Sequence, residues 1–253
     1  MTEEKKNGKM KILGMNCSPR KVNSYGILKM MQKSIGNPDV EMEILNLGDY
    51  KIKQCLGNLK CQFQEPYECI IKNDDIPFLK KKFAEFDGYV FVIPNYVHTV
   101  PGIFKDFMDR CVNWVHLYPF IGKYAAIIAS SAAPAWFNED LLMEMMRQWL
   151  VCLGIRVSGE LSVALSCGYK ELEPILAPMG LDVPVDEVPG LKEKLDELTQ
   201  RLVTDMIEKP QFVPDAWDYY HFYRMKILTG AIGGNERKRF EENNWYEKEH
   251  WSL

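Results

Sequence analysis

The apolar positions of this chain form short continuous runs that alternate with stretches of helical period. "MKILGM" (10–15) is an apolar run ending in turn-formers, as a buried parallel strand would be. After it, Ser24 reads as an N-cap, Ile27, Leu28, Met31 and Ile35 recur at helical spacing, and "GNP" closes the segment. "VEMEILNL" (40–47) reads as the next strand, whereas residues 48–73 hold no clear period and read as an irregular excursion containing Cys55, Cys61 and Cys69. Order returns in "DDIPFLKKKFAEF", with Asp74 or Asp75 as cap, Pro77 in the first turn and an apolar face of Leu79, Phe83 and Phe86.

"GYVFVIP" (88–94) is the clearest buried strand and stops at a proline. The helix expected next carries Phe104, Phe107, Met108, Cys111 and Val115 on one stripe, with Lys105, Asp106, Asp109 and Arg110 on the solvent side. "KYAAIIAS" (123–130) is a fourth strand, Asn138 caps a helix bearing Leu142, Met145, Met146, Trp149 and Leu153, and "IRVSGELSVAL" is a fifth strand. Leu191, Leu195, Leu198, Leu202 and Met206 line a last amphipathic helix. The alternation predicts an α/β fold, a doubly wound five-stranded parallel sheet with helices on both faces. Ligands of such sheets sit beyond the carboxyl ends of the strands near the switch in strand order, which singles out loops 16–24, 94–100 and 130–137.

Composition narrows the function classes. The 253 residues are 47% hydrophobic and 26% charged, as in an ordinary globular protein, and suit one domain with an appendage. We divide the chain into a flexible N-terminus (1–9), a ligand-binding domain (10–208) and a C-terminal extension (209–253). No apolar run suits a membrane span, and the charged first nine residues do not make a signal peptide. Seven cysteines without such a signal fit reduced thiols in a cytoplasmic protein. A net charge of −4 gives no general attraction to nucleic acid, so any anion site must be local.

The first loop supplies one. Ser18 and Ser24 offer hydroxyls, Asn23 an amide and Arg20 a permanent charge, beside the N–H groups that open the following helix. Four such residues within seven positions favour a phosphate site over an ordinary polar turn, while the missing GxGxxG and GxxxxGK[ST] patterns argue against a Rossmann dinucleotide site or a P-loop. In "PNYVHTVPG", two prolines restrict a loop whose aromatic suits a flat ring. His98 there reads as a surface histidine, since no second ligand lies at metal spacing.

"CSPRKVNS", "CLGNLKC…C…NDD" and "DGYVFVIPNYVHTVPGIFKDFMDR" together resemble the flavodoxin-fold NAD(P)H-dependent FMN reductases, especially their iron–sulfur flavoprotein branch, over about residues 10–165. The resemblance implies FMN, with its phosphate on Ser18, Arg20, Asn23 and Ser24. It implies an isoalloxazine against Pro94, Asn95, Tyr96, Val97 and His98, closed on another side by Ser130, Ser131 and Ala132 of "SSAAPAW". It also implies NAD(P)H as hydride donor and a quinone, a second flavin or a redox protein as acceptor; the alternative is an FMN carrier that exchanges electrons only with proteins. Cys17 replaces a small residue of the family's loop and is expected to fill space.

Two departures qualify the resemblance. The branch spaces cluster cysteines as C-x-x-C-x-x-C plus a fourth, whereas this chain reads Cys55, Asn58, Cys61 and Cys69, so structural cysteines and no iron–sulfur cluster or other metal are expected. The segment 211–253 carries Phe212, Trp217, Tyr219, Tyr220, Phe222, Tyr223, Phe240, Trp245, Tyr246 and Trp251, too many aromatics for a solvated tail. Packing on its own core is one reading. An arm across a neighbouring subunit is the favoured one, because members of the family form homodimers or homotetramers.

Overall fold

The structure is a computed structural model that describes residues 8–64, 68–115, 119–132, 140–164, 166, 168 and 170–210. Five strands, β1 (Met10–Asn16), β2 (Val40–Asn46), β3 (Gly88–Pro94), β4 (Lys123–Ser130) and β5 (Ile155–Val163), pair in parallel in the order β2-β1-β3-β4-β5. Among the described residues, seven α-helices accompany them: α1 (Asn23–Ser34), α2 (Lys60–Phe63), α3 (Ile76–Ala84), α4 (Gly102–Arg110), α5 (Asp140–Leu153), α6 (Glu173–Leu176) and α7 (Leu191–Glu208). The chain winds from β1 outward to β2, then crosses back to β3, so the order reverses between β1 and β3. The doubly wound parallel sheet expected from the alternation is the observed one.

Strand residues alternate between two cores because successive side chains leave opposite faces of a sheet. Leu13, Met15, Tyr89, Phe91, Ile127 and Ala129 meet Phe83, Phe104, Phe107 and Trp149 of α3, α4 and α5. Ile12, Val90, Val92, Ala126 and Ile128 meet Ile27, Leu28, Leu195 and Leu202 of α1 and α7. The first core is aromatic: the Phe83 ring lies 4.3 Å from that of Tyr89, whose buried hydroxyl donates to the Phe83 carbonyl at 3.0 Å. No helix among the described residues is long and apolar enough to cross a membrane.

Four expectations are corrected or fall outside. Helix α1 begins two residues earlier, with Val22 rather than Ser24 at the N-cap and no side-chain cap bond, while Asn138 and the aromatic segment 211–253 lie outside the described residues. Arg110, assigned to the solvent stripe of α4, is buried in an ion pair with Asp74, both side chains wholly inaccessible. Its guanidinium also donates to the carbonyls of Lys53 (2.8 Å) and Ile71 (3.1 Å). Asp75 is the residue at the α3 cap, and it accepts the Lys51 amide at 2.7 Å. Through Lys53 and Ile71, Arg110 ties both ends of the irregular excursion to α4.

Burial alone would raise the Asp74 pKa, but hydrogen bonds from Arg110 and the Lys53 amide outweigh it and hold the carboxyl below its usual range. Such a depressed group stabilises the fold above the unfolded carboxyl value, about 3.9, and the contribution is lost as pH falls through the folded value. Arg110→Leu strands the Asp74 charge in the interior and should cost about 3–5 kcal/mol in urea unfolding at neutral pH. The difference from wild type should shrink as the pH falls below the unfolded carboxyl value, about 3.9, and through the lower folded value of Asp74. A pH-independent difference would assign the loss to packing instead of charge.

Candidate functional site

Three loops leave the carboxyl ends of neighbouring strands at the switch in strand order, and they carry every residue singled out from the sequence. The first leaves β1 at Asn16, the second leaves β3 at Pro94, and the third leaves β4 at Ser130, which stands opposite Pro94 in the ladder. Backbone bonds tie them to the sheet: Cys17 N–H to the Val92 carbonyl (3.0 Å), Asn95 N–H to that of Ser130 (2.8 Å), and Ser131 N–H to that of Val163 (2.9 Å). Ala132 follows, partly buried, and the remainder of that loop, 133–137, lies outside the described residues.

The first loop is shaped by a residue the motif reading passed over. Asn16 is fully buried at the end of β1; its amide donates to the Arg20 carbonyl (2.9 Å) and to Asn46 Oδ1 (3.1 Å), and its Oδ1 accepts the Ser18 N–H at 3.2 Å. Ser18 Oγ accepts the Arg20 N–H at 3.1 Å and retains its own proton to donate. The loop therefore curls over one carboxamide and delivers the chain to α1. Because α1 has no side-chain cap and its first backbone bond is Gly26 N–H to the Val22 carbonyl (2.8 Å), its opening N–H groups have no intrahelical acceptor. Ser24 is buried in this first turn. A polar residue ending the run "MKILGMN" was the available signal for Asn16.

Asn23 is engaged from a direction the sequence did not show. Its Nδ2 donates to Ser166 Oγ at 2.7 Å, and Ser166 in turn donates to the Val183 carbonyl at 2.6 Å. Gly168 N–H donates to Asp182 Oδ1 at 2.8 Å beside them. The segment after β5 thus belongs to the neighbourhood of the first loop.

The second loop is a tight hairpin. Tyr96 N–H donates to the Thr99 carbonyl (2.9 Å) and Thr99 N–H to that of Tyr96 (3.2 Å), with Val97 at φ +52° and His98 at φ +67° between them. Both central residues at positive φ make a type I′ turn, normally filled by Asn or Gly. A β-branched residue there is strained by roughly 1–3 kcal/mol, and no glycine announced it. Val97 is 89% exposed, so its own packing does not compel the conformation; the paired bonds and the flanking Pro94 and Pro101 do. His98 is exposed as well.

The donor set of the first loop fits a phosphomonoester: serine hydroxyls, one permanent cation and an uncapped helix start. Cys17 is wholly buried and its thiol is pushed far up by burial, so it fills space instead of facing a ligand as a thiolate. The cysteine excursion behaves differently. Cys55, Cys61 and Cys69 line one cavity of about 300 Å³ together with Asn58. Asn58 stands in the second cysteine position and its Oδ1 accepts the Lys60 N–H at 3.1 Å. The Cys61 thiol is raised by burial and then by its neighbour Cys69, and among the described residues no three Cys, His, Asp or Glu side chains converge on an ion position. Three thiols and a carboxamide committed to its own turn do not fit a four-iron cluster, which takes four thiolates.

Comparison with known proteins follows the same lines. An iron-sulfur flavoprotein of Archaeoglobus fulgidus is 37% identical over 101 residues, which is 40% of this chain and 48% of that protein. One from Clostridioides difficile (strain 630) is 33% identical over 104 residues, 40% of this chain and 45% of that protein. The chain thus spans about half the length of the curated relatives it matches. Among solved structures, a flavone reductase aligns with a TM-score of 0.56 at 16% identity, covering 82% of this chain and 67% of that one. An FMN-dependent NADH-azoreductase from Bacillus anthracis in complex with FMN aligns at 0.54 and 16% identity, covering 76% and 99%. These likenesses show a shared flavodoxin-like fold. The family model for NADPH-dependent FMN reductase matches residues 10–170, well over half of the 253, and the chain belongs to that family.

Proposed function

We propose that this protein is an FMN-dependent oxidoreductase that takes hydride from NAD(P)H and passes electrons to a quinone, a second flavin or a redox protein. The observation that carries the reading is the gathering of an uncapped α1, Ser18, Arg20, Asn23 and Ser24 at the switch in strand order, in a chain of the FMN reductase family. Bound FMN would supply hydride acceptance and redelivery; the chain supplies binding and orientation. Arg20 neutralises the phosphate, Ser18 and Ser24 donate hydroxyl hydrogens, and the first-turn amides of α1 complete the anion site. Pro94, Asn95, Tyr96, Val97 and His98 form one wall for the ring and Ser130, Ser131 and Ala132 another.

The exposed Val97 turn faces no required packing of its own, which leaves the ring side able to admit a flat donor or acceptor. A cytoplasmic setting suits the described cysteines, none of which is joined in a disulfide. We further read the protein as a homo-oligomer, with the aromatic residues of 211–253 as its arm. A chain ending at residue 210 should then show a lower apparent mass in gel filtration than truncation alone accounts for; an unchanged oligomer would return those aromatics to their own subunit.

Steady oxidation of NADPH or NADH by purified protein with FMN and a quinone tests the activity. Reduction by protein donors alone would make it an electron carrier. In the same assay series, Arg20→Ala should weaken FMN binding about 10- to 150-fold, a charge-assisted contact of about 1.5–3 kcal/mol, with riboflavin affinity nearly unchanged. Equal losses for both flavins would remove the phosphate from this loop.

The same reading holds flavin as the redox centre without a four-iron cluster. Anaerobically purified protein should contain FMN and negligible iron and acid-labile sulfide. Stoichiometric iron and sulfide that disappear in Cys61→Ser would reverse this and require a fourth ligand beyond Cys55, Cys61 and Cys69.

A further inference from the structure

The segment between β5 and α7 touches the opening of α1 at three places. Ser166 accepts from the Asn23 amide, Gly168 lies against Val22 and Asn23, and Val185 lies against Gly26. The approach is close enough to require glycine twice. A Cβ on Gly168 would stand 2.5 Å from Val22 Cγ1 and nearer still to Asn23 Oδ1, at a φ of +59° that side chains rarely adopt. A Cβ on Gly26 would stand 2.7 Å from Val185 Cγ1.

The hydrogen bonds have a direction. The Val183 carbonyl can only accept, so the single Ser166 hydroxyl proton is committed to it at 2.6 Å. Ser166 Oγ can then only accept from Asn23, which fixes the Asn23 carboxamide with nitrogen, not oxygen, toward Ser166. Turning the amide over would set two acceptor oxygens against each other in a buried place, because Ser166 is itself 6% exposed. One amide hydrogen of Asn23 is used on Ser166, and the second remains on a group whose orientation is now determined. The Gly168 N–H bond to Asp182 Oδ1 ties together the two ends of this segment, the one carrying Ser166 and the one carrying Val183.

We propose that Ser166 and Asp182 are positioning residues of the cofactor site: through the Asn23–Ser166–Val183 relay they hold the Asn23 amide as a hydrogen donor to an anion at the start of α1. This rests on the reading of that loop as the FMN phosphate site. It adds a second piece of chain, 143 residues away from Asn23, to a site otherwise built from the first loop. The segment confers selectivity for a phosphorylated flavin, since among the described residues its hydrogen bond outward reaches α1 and not the Tyr96–Thr99 turn.

The test measures dissociation constants for FMN and riboflavin by flavin fluorescence in wild type, Ser166→Ala, Asp182→Ala and Asp182→Asn. Ser166→Ala should weaken FMN about tenfold, the size of one buried hydrogen bond, with riboflavin affinity unchanged. Asp182→Ala should lower the FMN preference in the same sense, whereas Asp182→Asn, whose carbonyl still accepts the Gly168 N–H, should retain it. A merely structural role would weaken both flavins together, and that result in Ser166→Ala or Asp182→Ala overturns the inference. So does an unchanged FMN-to-riboflavin ratio in Ser166→Ala, while wild type still prefers FMN. A wild type that binds riboflavin as tightly as FMN would instead remove the phosphate reading itself, and the relay's role with it.

Discussion

The buried carboxamide of Asn16 is the point on which the site depends. At the end of β1 the chain must leave the sheet where the strand order reverses, and a turn made there exposes backbone groups inside a closed core. Asn16 meets the need with one side chain, accepting from Ser18 and donating to Arg20 and Asn46. An unpaired buried group costs about 1–3 kcal/mol, so an apolar residue here would leave several of that size uncompensated. The bond to Asn46 also joins the end of β1 to that of β2, which stiffens the edge of the sheet against which the loop is folded. The curl of residues 17–20 follows from this one residue.

Much of the fold was legible because the sheet is buried on both faces. Continuous apolar runs such as "GYVFVIP" have few other uses, and the helical stripes between them are long enough to be unambiguous. Periodicity failed where a partner lies far along the chain. Arg110 occupies the polar side of its helix by spacing, yet Asp74, 36 residues earlier, draws it inside, and local pattern carries no record of such a pair. The cap at Ser24 failed for a related reason: Asn23, tethered to Ser166, and Val22, against Gly168, already fix the entry to α1 two residues earlier.

The candidate site was legible in its residue types and not in its geometry. Hydroxyls, an amide and an arginine in seven positions announced an anion site because those groups share a chemistry. Asn16 and Ser166 were silent, since a single buried polar residue is informative only once its burial is known. The turn at Val97 and His98 was silent too: the usual signal for a type I′ turn is Asn-Gly, and here the two bonds between Tyr96 and Thr99 impose the conformation on residues that resist it.

That contrast divides the site physically. On the side of α1, the loop is braced by β2 through Asn46 and by the segment after β5 through Ser166. Such bracing minimises the ordering that the proposed phosphate site would need on binding. On the side of β3, the hairpin stores strain and exposes an apolar side chain, held by its own cross-bonds and by Thr99 Oγ1 donating to Met145 Sδ. A strained and exposed element gives up less stability on repacking than a relaxed and buried one when a second molecule approaches. A chain that grips a cofactor at one end and presents it at the other needs this asymmetry: uniform rigidity would hinder the exchange of donor and acceptor, and uniform looseness would release the group that both must reach.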